Sequence, residues 1–89
     1  MRLTKKLQTL LNSTEKEAIT YHRRNADIDD CIKNQGTMDQ LQELRIGRMI
    51  SVGVLAELDK IAQNALSERE YRYYRHRAAI MISPLLLLE

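Results

Sequence analysis

The sequence predicts an all-α protein: an antiparallel helical hairpin with a C-terminal helical extension. Three observations carry this. The 89 residues include only three Gly and one Pro, with no Trp or Phe, so the turn residues and β-formers of a barrel, sandwich or doubly wound sheet are missing. Apolar residues recur at spacings of three and four along most of the chain. Three Ser/Thr-x-x-Glu/Gln signals, at Thr14/Glu17, Thr37/Gln40 and Ser67/Glu70, mark candidate helix starts. The length gives one domain over residues 1–89, divided into a helix at 3–33, a turn at 34–37, a helix at 38–66, a helix at 68–83 and a tail at 84–89.

In the first helix a narrow seam runs through Leu3, Leu7, Leu11, Thr14, Ala18, Tyr21, Asn25, Ile28 and Ile32, with Leu10 and Cys31 beside it. Thr14 and Asn25 interrupt it, either to set register or as tolerated polar positions. The Asn12-Ser13-Thr14 cluster can also break the helix, leaving residues 3–11 as a separate short N-terminal helix or a mobile arm. Asn34-Gln35-Gly36 supplies an Asn and a Gly able to take positive φ where the chain reverses.

The second helix carries two apolar groups. Leu41, Leu44, Val52, Leu55, Ala62 and Leu66 line one side; Ile46, Ile50, Val54, Leu58, Ile61 and Ala65 line another. The narrow seam of the first helix covers one of these, so the second requires another cover. Gly47 and Ser51, four apart, admit a close backbone approach, whereas Gly47 and Gly53 each cost the helix up to about 1 kcal/mol relative to Ala.

The third helix continues from the second or is kinked from it, and Pro84 is expected to end it at residue 83. Four arginines, Arg69, Arg72, Arg75 and Arg77, stand against Glu70 for a net charge of +3 over residues 69–77, with Tyr71, Tyr73 and Tyr74 between them. Basic residues interleaved with aromatics can bind phosphates and stack bases. The simpler reading puts Tyr71, Tyr74, Ala78, Met81 and Ile82 on an apolar face and Arg69, Arg72, His76 and Arg77 on a solvated one.

Catalytic and cofactor chemistry finds no foothold. His22 and His76 have no His or Cys one turn away, and no HExxH, GxxxxGK or Gly-rich phosphate loop occurs. Asp27, Asp29 and Asp30 do not complete a calcium loop, because its last ligand position is occupied by Met38. Cys31 is the lone cysteine, which leaves no intrachain disulfide and suits a reducing cytoplasm. The N-terminus lacks a signal-peptide pattern, and the longest apolar runs, 78–82 and 85–88, fall far short of a membrane span. These features lead us to expect a cytoplasmic binding protein, without enzymatic activity, cofactor, small-molecule substrate or membrane partner.

Three segments, LTKKLQTLLNSTEKEA at 3–18, the Asn-Gln-Gly reversal, and YYRHRAAIMIS at 73–83, together resemble the small helical co-chaperones of bacterial type III secretion needle proteins. The resemblance implies a cytoplasmic hairpin that binds a second, tetratricopeptide-like chaperone. That pair then captures the needle subunit and keeps it unpolymerised before export. The family's shorter members end after the hairpin, so the Tyr/Arg-rich stretch is a departure. On this reading the partner-binding residues are Ile46, Ile50, Val54, Leu58 and Ile61, with Leu3, Leu7 and Leu11 as a second surface. An isolated chain can bury the same faces by forming a homodimer. The alternative is a small dimeric nucleic-acid-binding regulator acting through Arg69, Arg72, Arg75 and Arg77, although nucleic acid is not the expected partner at a net charge of only +2.

Overall fold

The computed structural model describes the backbone of residues 3–86 and the side-chain environments of residues 3–82. All regular structure in the described residues is helical: α1 spans Lys5–Lys33, α2 Met38–Ala65 and α3 Glu68–Leu86. The hairpin with a C-terminal helix is therefore the observed architecture.

Helix α1 starts at Thr4, whose extended backbone and side-chain oxygen cap the amide of Leu7. It runs unbroken past Asn12-Ser13-Thr14, so residues 3–11 form no separate helix and Thr14/Glu17 is not a capping box. The Thr14 hydroxyl is engaged elsewhere, sharing a 2.7 Å hydrogen bond with the Tyr74 hydroxyl. At the other end, Gly36 donates to the Cys31 carbonyl at 2.8 Å and Gln35 to that of Ile32 at 3.2 Å, the paired bonds of a Schellman ending. The left-handed residue is Gln35, with φ 54°, and not Gly36. Gly36 is instead required for space, because a Cβ there would stand against Cys31 Sγ.

Both remaining boxes form. Thr37 and Gln40 exchange reciprocal bonds of 3.0 and 3.1 Å at the start of α2, and Ser67 and Glu70 do the same at 3.0 and 3.2 Å at the start of α3. The second of these marks a reversal, so α3 does not continue α2. Three α1–α3 bonds give its direction: Thr4 to Glu70, Thr14 with Tyr74, and His22 to the Met81 carbonyl. Partner numbers rise together, so α3 is parallel to α1 and antiparallel to α2. A proline removes the single bond its missing N–H would make, and the helical backbone continues over Pro84 to Leu86, beyond the expected stop at 83.

The result is a rod of 48 × 20 × 16 Å with α1 at its centre. The seam residues Leu7, Leu11, Thr14, Ala18, Tyr21, Asn25 and Ile28 are all buried, whereas Leu3 and Ile32 at its ends are exposed. The apolar core joins Leu7, Leu10 and Leu11 to Ala62, Leu66 and Tyr74. On α2 only Gly47, Ser51 and Ala62 are buried. The helix with two apolar faces is thus not the one in the middle: α3 folds back onto α1 and leaves one face of α2 uncovered.

Candidate functional site

The uncovered face is a ridge along α2. Ile46, Ile50, Val54 and Ile61 are 51%, 59%, 40% and 45% exposed, and Met49 beside them is 71% exposed. Spacings of four and seven residues set these positions within one sector of the helix. Isolated exposed apolar side chains are ordinary, whereas a row of them along one helix is the arrangement a docking surface needs.

The other partner-binding residues expected from sequence separate from this ridge. Leu58 is half-buried and packs against the core. Leu7 and Leu11 are core residues, 0% and 6% exposed, and only Leu3 of that group reaches the surface. Leu7 and Leu11 are therefore corrected from a second docking surface to the internal contact that holds α1 against the end of α2 and Tyr74.

Under the ridge, the Arg24 side chain of α1 lies over Gly47, and a Cβ there would collide with its guanidinium; this side chain, and not the close backbone approach expected from sequence, occupies the space. Gly53 has no such neighbour within the chain, since an added Cβ meets nothing within 4 Å. Beside Gly47, Arg48 donates to the Asn25 side chain at 2.9 Å, so Asn25, like Thr14, carries a cross-helix bond.

The arginine segment divides as the amphipathic reading requires. Tyr74 is 1% exposed, Tyr71 is half-buried, and their rings stack 6.4 Å apart facing the bundle. Arg69, Arg72, Arg75 and Arg77 are exposed. Arg72 pairs with Glu68 at 2.7 Å, and Arg75 lies 5.9 Å over the Tyr71 ring. The Tyr74 ring is thus closed to solvent, and the Tyr71 face is partly covered by Tyr74 and Arg75, which leaves little aromatic surface free to stack bases.

Two ionisable groups fasten α3. The Ser67 amide, then the Thr4 and Ser67 hydroxyls, hold the Glu70 carboxyl below its ordinary range. Burial first, and then donation to the Asp59 carboxylate at 3.1 Å, raises the Tyr71 hydroxyl. The same Tyr71–Asp59 bond joins α2 to α3 near their junction. Farther along, the two helices flank a groove of about 470 Å³ floored by Thr14 and Tyr21, with Val52, Leu55 and Ala56 on one wall and Ala78 on the other. Sequence reasoning missed this groove; the small residues Ala56, Ala78 and Ala79 are its only trace in the chain.

Among the described residues no three His, Cys, Asp or Glu side chains are grouped to hold a metal ion, and no helix is long and apolar enough to cross a membrane. Compared with known proteins, the chain matches no protein-family profile, no curated protein and no solved structure.

Proposed function

We propose that this chain is a non-catalytic binding protein that docks another protein on the outer ridge of α2. The observation that carries the reading is the exposure of Ile46, Ile50, Val54 and Ile61 on a helix whose adjoining side, with Gly47, Ser51 and Ala62, is already packed. Covering such a ridge with an apolar surface is favourable at roughly 25 cal/mol per Å² buried, and a helix laid beside it is a common mode of recognition. Together with the resemblance at 3–18 and 73–83, this supports the specific role of a cytoplasmic type III secretion co-chaperone. In that role the ridge binds the tetratricopeptide-like chaperone, and the pair covers the polymerising surface of the needle subunit.

Ile50→Asp combined with Val54→Asp is the direct test, because both side chains point outward and the fold does not depend on them. Replacing Leu58 instead would also damage the core. The double variant is expected to keep its helical circular dichroism and lose co-purification with the second chaperone and needle subunit. Retained co-purification overturns the assignment. A second reading, a nucleic-acid-binding regulator, draws on Arg69, Arg75 and Arg77, which are exposed and have no ion pair among the described residues. Replacing all four arginines by Gln separates the two: it leaves the chaperone complex intact, whereas a regulator loses salt-sensitive binding to DNA or RNA.

A further inference from the structure

We infer that the free protein forms an antiparallel two-fold homodimer through the α2 ridge, with oppositely charged ends of the two copies in contact. The inference rests on the reading that this ridge is an interface, and it names a second copy of the chain as its occupant.

Charge placement carries the argument. Beside the ridge, one shallow hollow between α1 and α2 is lined by Lys5, Lys6, Thr9 and Ile61. Another is lined by Asp27, Asp30 and Glu43. Thr9 and Asp27 are eighteen residues apart on α1, as are Glu43 and Ile61 on α2. Eighteen residues are five full turns, so both hollows lie on the same side of the hairpin, about 27 Å apart along it. The first is an apolar hollow rimmed by two lysines, and the second carries three carboxylates. Two copies related by a dyad perpendicular to the rod place the lysine rim of each on the partner's carboxylates, twice per dimer.

The centre of the ridge obeys the same symmetry. A dyad at Val52 brings Ile50 opposite Val54, so apolar positions meet there, and sets Ile46 opposite the half-buried Leu58 and Ile61 opposite Glu43 at the acidic hollow. Glu57, which lies between Val54 and Ile61, falls opposite Gly47, over which the Arg24 guanidinium lies. Arg24 is half-buried and has no carboxylate partner among the described residues. A parallel arrangement would instead set lysines on lysines and carboxylates on carboxylates. Stable interfaces bury about 800 Å² per partner, and α2, with 28 residues, offers a face about 42 Å long for such a contact.

The test is light scattering on the full chain at low and high salt, with two charge-reversal variants at exposed positions. The wild-type chain is expected near 21 kDa, twice its 10.4 kDa mass, with a dissociation constant that rises about tenfold between about 50 and 500 mM NaCl as the end contacts are screened. Lys5→Glu/Lys6→Glu alone, and Asp27→Lys/Asp30→Lys/Glu43→Lys alone, are expected to be monomeric at low salt. Mixed in equal amounts, they regain a dimer, because each variant now complements only the other. A monomeric wild-type chain overturns the homodimer, as do larger open-ended assemblies. A dimer that survives both reversals overturns the antiparallel register. None of these failures bears on chaperone docking: co-purification retained by the Ile50/Val54 double variant overturns the functional reading, whereas a monomeric wild-type chain that still docks its partners overturns the homodimer alone.

Discussion

At the scale of single residues, the polar interruptions of the α1 seam fix how the other helices sit on it. Thr14 is 1% exposed, and the Tyr74 hydroxyl is its partner from α3. Asn25 receives Arg48 from α2. A buried hydroxyl left alone costs about 1–3 kcal/mol, more than the net gain of an ordinary hydrogen bond. Tyr74→Phe is therefore expected to destabilise the fold by about that amount in urea denaturation, since the ring still fills its place while Thr14 Oγ is stranded. Thr14→Val in the same chain should recover most of the loss, because a matched apolar pair then replaces a matched polar one. Equal losses in the single and double variants would mean that the bond does not hold α3. In sequence Thr14 is indistinguishable from a helix cap, since its true partner lies 60 residues away.

At the scale of elements, the two mid-helix glycines of α2 separate cleanly. Gly53 sits in open space and Gly47 beneath Arg24. Gly53→Ala is expected to stabilise the fold by up to about 1 kcal/mol, the ordinary helix-propensity difference. Gly47→Ala gains the same propensity but must displace the guanidinium, so its midpoint should rise less or fall. Thermal unfolding of the two variants side by side checks this, and an equal rise in both would contradict the packing assigned to Gly47. What was legible at this scale follows the range of the forces involved. The boxes at Thr37/Gln40 and Ser67/Glu70 are satisfied within four residues, so sequence reveals them. The seam positions Leu7 to Ile28 follow from a helical period alone. The reversal at Ser67 and the choice of α1 over α2 as the support for α3 were not legible, because both depend on where Tyr74 and Met81 land after two helices have packed. Periodicity likewise exposed the Ile46–Ile61 ridge but could not say that α3 leaves it bare.

At the scale of the whole molecule, α3 completes the core and is not an appendage of the hairpin. Tyr74 is buried between Leu7, Leu10 and Leu11 of α1 and Ala62 and Leu66 of α2, with Tyr71, Ala78 and Met81 packed around that cluster. An aromatic side chain alone removes about 150–250 Å² from water, which at roughly 25 cal/mol per Å² is about 4–6 kcal/mol. A domain of 89 residues has a net stability of about 4–13 kcal/mol. The contribution of this one ring is thus comparable to the whole margin, before Met81 and the bonds from Thr4 and His22 are considered. A chain truncated after Ser67 is expected to lose cooperative urea unfolding and to bind a hydrophobic dye through the uncovered Leu7–Tyr21 face of α1, even where part of its helical circular dichroism survives. A truncated chain with an unchanged unfolding midpoint would show that the hairpin is self-sufficient and would return the Tyr/Arg-rich segment to a role outside the core. Cooperative loss would instead mean that the same helix that presents Arg69, Arg75 and Arg77 to solvent also holds α1 and α2 in the arrangement that exposes the α2 ridge.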